Sequence, residues 1–117
     1  MKKIKVLVLN VDELPEVREI DKTSEAYREI VGGWLECVRI ADDIDMWINE
    51  EGLLIELPVN FHTFIVDNGV PQHVHTIHGN VFFASHDGEG DIIGLNDEQI
   101  NRVRFMFRAN RKACIVR

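Results

Sequence analysis

The sequence predicts an α+β fold: one domain with a mainly antiparallel sheet of about five or six strands and two helices packed on one face of it. Three observations carry this. Short apolar runs alternate with polar residues near the start, after Gly33 and again around residue 80, the period of half-buried strands. The stretch SEAYREIVGGWLECVRI, residues 24–40, reads as helix, glycine pair, strand. Residues 96–110 carry the marks of a capped amphipathic helix.

Taken in order, residues 3–10 alternate Ile4, Val6 and Val8 against Lys3, Lys5, Leu7 and Leu9, a strand with one face buried and the other partly so. Asn10 to Pro15 is a loop, and Glu16–Asp21 returns as a short strand. Asp21 or Thr23 can cap the helix that follows. Its inward stripe is Ala26, Ile30 and Val31 with Tyr27 flanking, while Glu25, Arg28 and Glu29 face water. Gly32-Gly33 ends it, because left-handed backbone there meets no Cβ clash.

Residues 34–57 then read as a three-stranded meander: 34–40, 44–49, and a third run in which Leu53, Ile55 and Leu57 alternate up to Pro58. Between Pro58 and Gly79 the pattern blurs. Phe61–Val66 suits a short helix or a strand, and Asp67-Asn68-Gly69 signals a turn. Residues 78–86 return as a strand with Val81 and Phe83 on one face and Phe82 and Ala84 on the other. In the last helix Asn96 caps and Gln99 completes the box. Ile100, Val103, Met106 and Phe107 fall on one face and Arg104, Arg108, Arg111 and Lys112 on another; Phe105 fits neither stripe. No repeat or linker divides the 117 residues, so a single domain spans 1–117, with a basic helical segment at 97–117.

Composition narrows the class. Apolar content of 45% and charged content of 28% are those of a globular protein with a real core. No apolar run is long enough to cross a bilayer, and MKKIKVLVLN lacks the apolar core and cleavage site of a signal peptide, so the expected compartment is the cytoplasm, with no membrane partner. Cys37 and Cys114 lie far apart in no metal-like spacing; the expectation is a buried thiol at 37 and a free one in the tail. The net charge of −7 is uneven: residues 61–98 hold six acids and no Lys or Arg, whereas 99–117 hold six cations and no acid. An acidic body with a basic tail can mark a partner surface, another copy of the chain included.

The pieces IKVLVLN, AYREIVGGWLECVRI, NEEG, ELPVN, GNVFFAS and DGEG…GLNDEQI span residues 3–100. Together they resemble the family known as domain of unknown function 3846. The helix, glycine pair, aromatic and strand segment is the most specific of them. The resemblance implies an accessory protein of a phage, plasmid or other mobile element working in a host cytoplasm. It supplies no catalytic residue or cofactor to carry over, and the matched residues look structural.

The residues themselves offer three candidate chemistries. His73, His75 and His78 place three imidazoles within six residues, and His73 and His75 share a face if the segment is a strand. Neutral imidazole binds zinc, although no cysteine lies nearby and a further ligand would have to come from Asp67, Asp87 or His86. Against that stands a polar loop with solvated histidines; no cofactor is predicted, with zinc as the exception the loop leaves open. Carboxylates cluster at Asp42-Asp43, Asp45, Glu50-Glu51 and Asp87-x-Glu89-x-Asp91, in turns where acids are solvated and cap backbone groups. Gly32-Gly33 follows a helix, so it is no phosphate loop. No nucleophile or metalloprotease motif is present, no catalytic residue is assigned, and the balance is against an enzyme.

The basic stripe is the third. Arg104, Arg108, Arg111 and Lys112 can complement the helix dipole, contact a protein partner, or hold phosphates. The acidic body disfavours a long nucleic-acid track. The leading expectation is therefore a small non-enzymatic interaction protein binding a protein partner. A nucleic-acid-associated protein using the same helix is the alternative, and a metal-binding protein or enzyme at the histidine loop the further one.

Overall fold

The computed structural model describes residues 2–67, 70–107 and 113–115, with 63–67, 71–75 and 113–115 described by backbone alone. The elements run β1 (Lys3–Leu9), β2 (Glu16–Asp21), α1 (Ser24–Val31), β3 (Leu35–Ala41), β4 (Ile44–Asn49), β5 (Val59–Asp67), β6 (Val70–His78), β7 (Val81–His86), β8 (Ile92–Ile93), α2 (Asp97–Met106) and β9 (Ala113–Ile115). The larger sheet has the order β2-β1-β7-β4-β3 in antiparallel pairs, with β8 added to β7. The smaller has the order β6-β5-β9, in which β9 runs parallel to β5. The α+β prediction is met.

β7 lies between β1 and β4, and its sequence VFFASH is apolar on both faces as the alternation requires. Val81 and Phe83 join Leu7, Leu9, Ile44 and Met46 in one core; Phe82 and Ala84 join Ile4, Val6 and Val8 in the other. Two apolar faces need two covers. Tyr27 and Val31 of α1 close the second core, while Ile100 and Val103 of α2, with Phe61 and Ile77 of the smaller sheet, close the first. The helices thus pack on opposite faces, not the shared face expected from sequence.

α1 begins at Thr23, whose Oγ1 accepts from the Ala26 N–H, and ends at Gly32 in the left-handed region. Its buried centre is Tyr27, stacked on Phe82 at 5.6 Å, where the sequence reading had put it at the stripe's margin. The two glycines do different work. Gly32 supplies a φ of 81°, whereas a Cβ on Gly33 would stand 2.8 Å from the Asn49 Nδ2. That amide donates to the Val31 carbonyl at 3.1 Å, so close approach at Gly33 lets β4 cap the end of α1.

Two regions depart from the sequence reading. Residues 53–57 form no third meander strand. Ile55 N–H bonds the Glu51 carbonyl, Glu56 bonds Leu53, and Leu57 bonds Gly52: a single helical turn closed by a Schellman pair, with Glu56 left-handed at φ 57°. The alternation of Leu53, Ile55 and Leu57 is therefore incidental, and Leu53, Leu54 and Ile55 are exposed. Residues 59–78, by contrast, are a long hairpin. Register shifts at Val59/Phe61 and Thr63/Phe64 break the period of two, which is why the pattern blurs.

Candidate functional site

The C-terminal helix is fixed to the sheet before it presents anything outward. Asn96 Oδ1 accepts from Gln99 N–H at 2.8 Å, and Gln99 Oε1 accepts from Asn96 N–H at 2.9 Å, the reciprocal box read from sequence. The Gln99 amide then donates to the Asp43 carbonyl and carboxylate, and Ser85 Oγ donates to the same carbonyl. Arg102 bonds Asp43 and its own helix's Glu98, and Lys5 pairs with Asp97. The start of α2 is thereby tied to the β3–β4 turn and to β1.

The Arg102 guanidinium beside Asp43 holds that carboxyl below the usual carboxylate range, with Gln99 adding to the effect, and Asp43 in turn pushes Arg102 up. A depressed folded-state pKa contributes stability above the unfolded value and loses it as pH falls through the folded one. Both side chains are well exposed, so the effect is small. We expect Asp43→Asn to lower the melting midpoint by about 1–3 °C near pH 7, and the difference to close at an acid pH where Asp43 is protonated in both folded and unfolded states. Thermal melts at the two pH values check this; an unchanged difference would contradict it.

Beyond this anchor the outward face of α2 is apolar in an unusual place. Ile100, Val103 and Phe107 are buried, but Phe105 is 70% exposed. Leu14, 87% exposed in the β1–β2 loop, and Pro15 lie across from it, and the three line a shallow depression with Asn101, Arg104 and Phe107. A second depression on the other flank of Phe105 is lined by Glu98, Asn101, Arg102 and Met106. Phe105 is thus a ridge between two concave surfaces on a well-anchored helix. Burying one such side chain is worth about 1.5–3 kcal/mol.

The basic stripe is reached only in part. Arg104 is exposed beside Phe105 and makes no ion pair among the described residues; Arg108, Arg111 and Lys112 lie outside the described residues. The helix itself ends at Met106, short of the expected residue 110. Sequence reasoning missed Leu14 and the exposure of Phe105. The one usable signal was that Phe105 belongs to neither stripe.

The histidine loop is a strand. His73 and His75 sit opposite Phe64 and Thr63 in β6, their side chains outside the described residues. His78 ends that strand and donates Nδ1–H to the Leu57 carbonyl at 2.9 Å, which secures the 52–57 turn against it. Among the described residues no three His, Cys, Asp or Glu side chains are grouped to hold a metal. The acidic turn is built on itself: Asp87 accepts from the Glu89 and Asp91 amides, which hold its carboxyl below the ordinary range.

One constellation appears only in three dimensions. Asp45, 3% exposed, accepts from His86 Nδ1 at 2.7 Å and from Arg39 Nε at 3.4 Å, with Cys37 beside it. Cys37 is exposed because β3 is an edge strand, correcting the expected buried thiol. Partial burial of the sulfur, then the Asp45 charge, pushes the thiol up, so it stays protonated. Here the acid stands between thiol and imidazole, the reverse of a nucleophilic triad, and the group is a buried carboxylate held by an exposed arginine and a half-buried histidine.

No curated protein and no solved structure matches the chain. Among the described residues, no helix is long and apolar enough to cross a membrane. The family model described as domain of unknown function, DUF3846, matches residues 4–108, from β1 past the end of α2 and including Leu14, Arg104 and Phe105. The chain belongs to the DUF3846 family.

Proposed function

We propose that this protein is a small non-enzymatic interaction module that binds a protein partner through the outward face of α2 and the β1–β2 loop. The observation that carries the reading is the pairing of Phe105 and Leu14, both exposed on a surface whose framework is held by side-chain hydrogen bonds. An aromatic ridge between two concave apolar surfaces supplies contact area without the ordering cost of a flexible loop. On this reading the module is an accessory of a phage or other mobile element, acting on a host or element protein in the cytoplasm.

The test is photocrosslinking from position 105 in the native host, with exposed Glu19 on β2 as the control position. A single stoichiometric adduct is expected from 105 and none from 19. Phe105→Asp should fold with a stability within about 0.5 kcal/mol of the parent and lose the partner. A folded protein that yields no adduct from 105 sinks the reading.

A further inference from the structure

We propose that the free edge of β3 is a second protein-binding surface, taking an extended segment of basic and apolar residues as an added antiparallel strand. It stands independently of the α2 reading, because the groove beside β3 shares no lining residue with the depressions around Phe105. β2 and β3 end the larger sheet. β2 is blunted by charge, with four acidic or basic side chains among the six residues of EVREID, whereas β3 carries two among the seven of LECVRIA. The Glu50 N–H donates to the Trp34 carbonyl at 2.9 Å. The antiparallel register therefore joins the backbone groups of Trp34, Glu36 and Val38 to β4 and turns those of Leu35, Cys37 and Arg39 outward. Among the described residues no strand meets them. An antiparallel occupant follows the pattern of every pair in this sheet.

What flanks the edge sets the occupant's chemistry. Glu36 and Val38 line a groove with Ile48, Glu50, Leu53 and His78. Leu53 is exposed, as are its neighbours Leu54 and Ile55 on the 52–57 turn. No Lys or Arg lines the groove, and neither Glu36 nor Glu50 has an ion pair among the described residues. With two acids against one histidine, the groove stays negative even when His78 is protonated. The cations of this edge belong to the other face of the sheet: Arg39 pairs with Asp45, and the Arg28 guanidinium lies over the Trp34 ring. Backbone pairing and the apolar contacts supply affinity, while Glu36 and Glu50 select Lys or Arg. A second copy of the chain fits less well. Two β3 edges must pair outward residues with outward residues. Centred on Glu36 or Cys37, that pairing sets the Glu36 side chains opposite or diagonal to each other; centred on Val38, it runs into the bulge between Arg39 and Ala41. Nucleic acid is repelled by the same acids and has no strand to add.

The probe is a fluorescent peptide of about ten residues, with Thr at alternate positions and Lys and Leu taking turns between them, followed by anisotropy. One counterpart carries Glu for Lys. Two more carry backbone N-methyl groups, either on the Thr set or on the Lys and Leu set. With Lys and Leu over the groove, an antiparallel addition points the Thr N–H groups at β3. Methylating the Thr set should therefore abolish binding, and methylating the other set should cost less than about threefold. The parent peptide should bind at least about tenfold tighter than the Glu peptide, and Glu36→Lys should reverse that preference. Leu53→Ser, at an exposed position, should weaken the parent peptide by about fivefold or more. Equal or tighter binding of the Glu peptide overturns the proposal, as does equal loss from the two methylated sets, indifference to Glu36→Lys, or no measurable binding of the parent peptide. Sedimentation of the free protein at about 100 μM should show no dimer that depends on Leu53. A dimer that Leu53→Ser dissociates makes a second copy the occupant and overturns it too.

Discussion

Replacing Phe82 with alanine should cost about 3–5 kcal/mol, a large part of the stability that a domain of this size commands. Phe82 is 0% exposed near the start of β7, between the rings of Tyr27 at 5.6 Å and Trp47 at 6.4 Å. Those contacts come from α1 and β4, so a hole at 82 loosens one helix and the strands beneath it together. The central strand cannot collapse into the gap, because β1 and β4 hold it by backbone pairing on both edges. Phe82→Leu keeps most of the volume and should cost less than about 2 kcal/mol, which makes it the variant that folds if alanine does not. Urea unfolding followed by tryptophan fluorescence measures both. An alanine variant within about 1 kcal/mol of the parent would mean that α1 is not held by this stack.

Much of this architecture was legible because local and tertiary signals agree along most of the chain. β1 and β7 show their alternation in plain sequence, and Gly32-Gly33 and the Asn96–Gln99 box mark helix ends whose chemistry is local. The misreadings fall where local pattern and tertiary packing part. Leu53, Ile55 and Leu57 mimic a strand, but a Schellman closure needs only one left-handed residue, and Glu56 adopts it without a glycine to announce it. The helices were expected on one face because sheet faces are usually covered once. The both-sided apolar character of VFFA in β7 was the clue that two covers were needed.

The candidate site was half legible for a related reason. Charge is a property of sequence, so the basic run from Arg104 onward stood out at once. Exposure is a property of packing. Leu14 looks like any loop leucine until the fold leaves it uncovered, and Phe105 belongs to neither stripe until α2's rotation is fixed by Ile100, Val103 and Phe107. The Asp45, His86 and Arg39 cluster could not be foreseen at all, since it joins residues more than forty apart through the β4–β7 pairing.

Asn60→Ala should cost about 2–4 kcal/mol, although it removes only one small side chain. Asn60 is 4% exposed and occupies the register shift between Val59 and Phe61, where β5 turns toward the larger sheet. Its Nδ2 donates to the Leu9 carbonyl and to the Gly79 carbonyl, each at 2.9 Å. One amide therefore ties the end of β1 and the β6–β7 connection to β5, and so joins the two sheets. Alanine would leave both buried acceptors without that donor, each worth about 1–3 kcal/mol, in a place too closed for water to reach freely. The discriminating variant is Asn60→Asp. It keeps the shape but presents an oxygen to two carbonyl oxygens, so it should be at least as damaging as alanine at neutral pH. Were the loss merely one of side-chain volume, aspartate would rescue it. Chemical denaturation of the two variants decides between these: a loss under about 0.5 kcal/mol in alanine, or rescue by aspartate, would show that the sheets are held together by apolar packing alone.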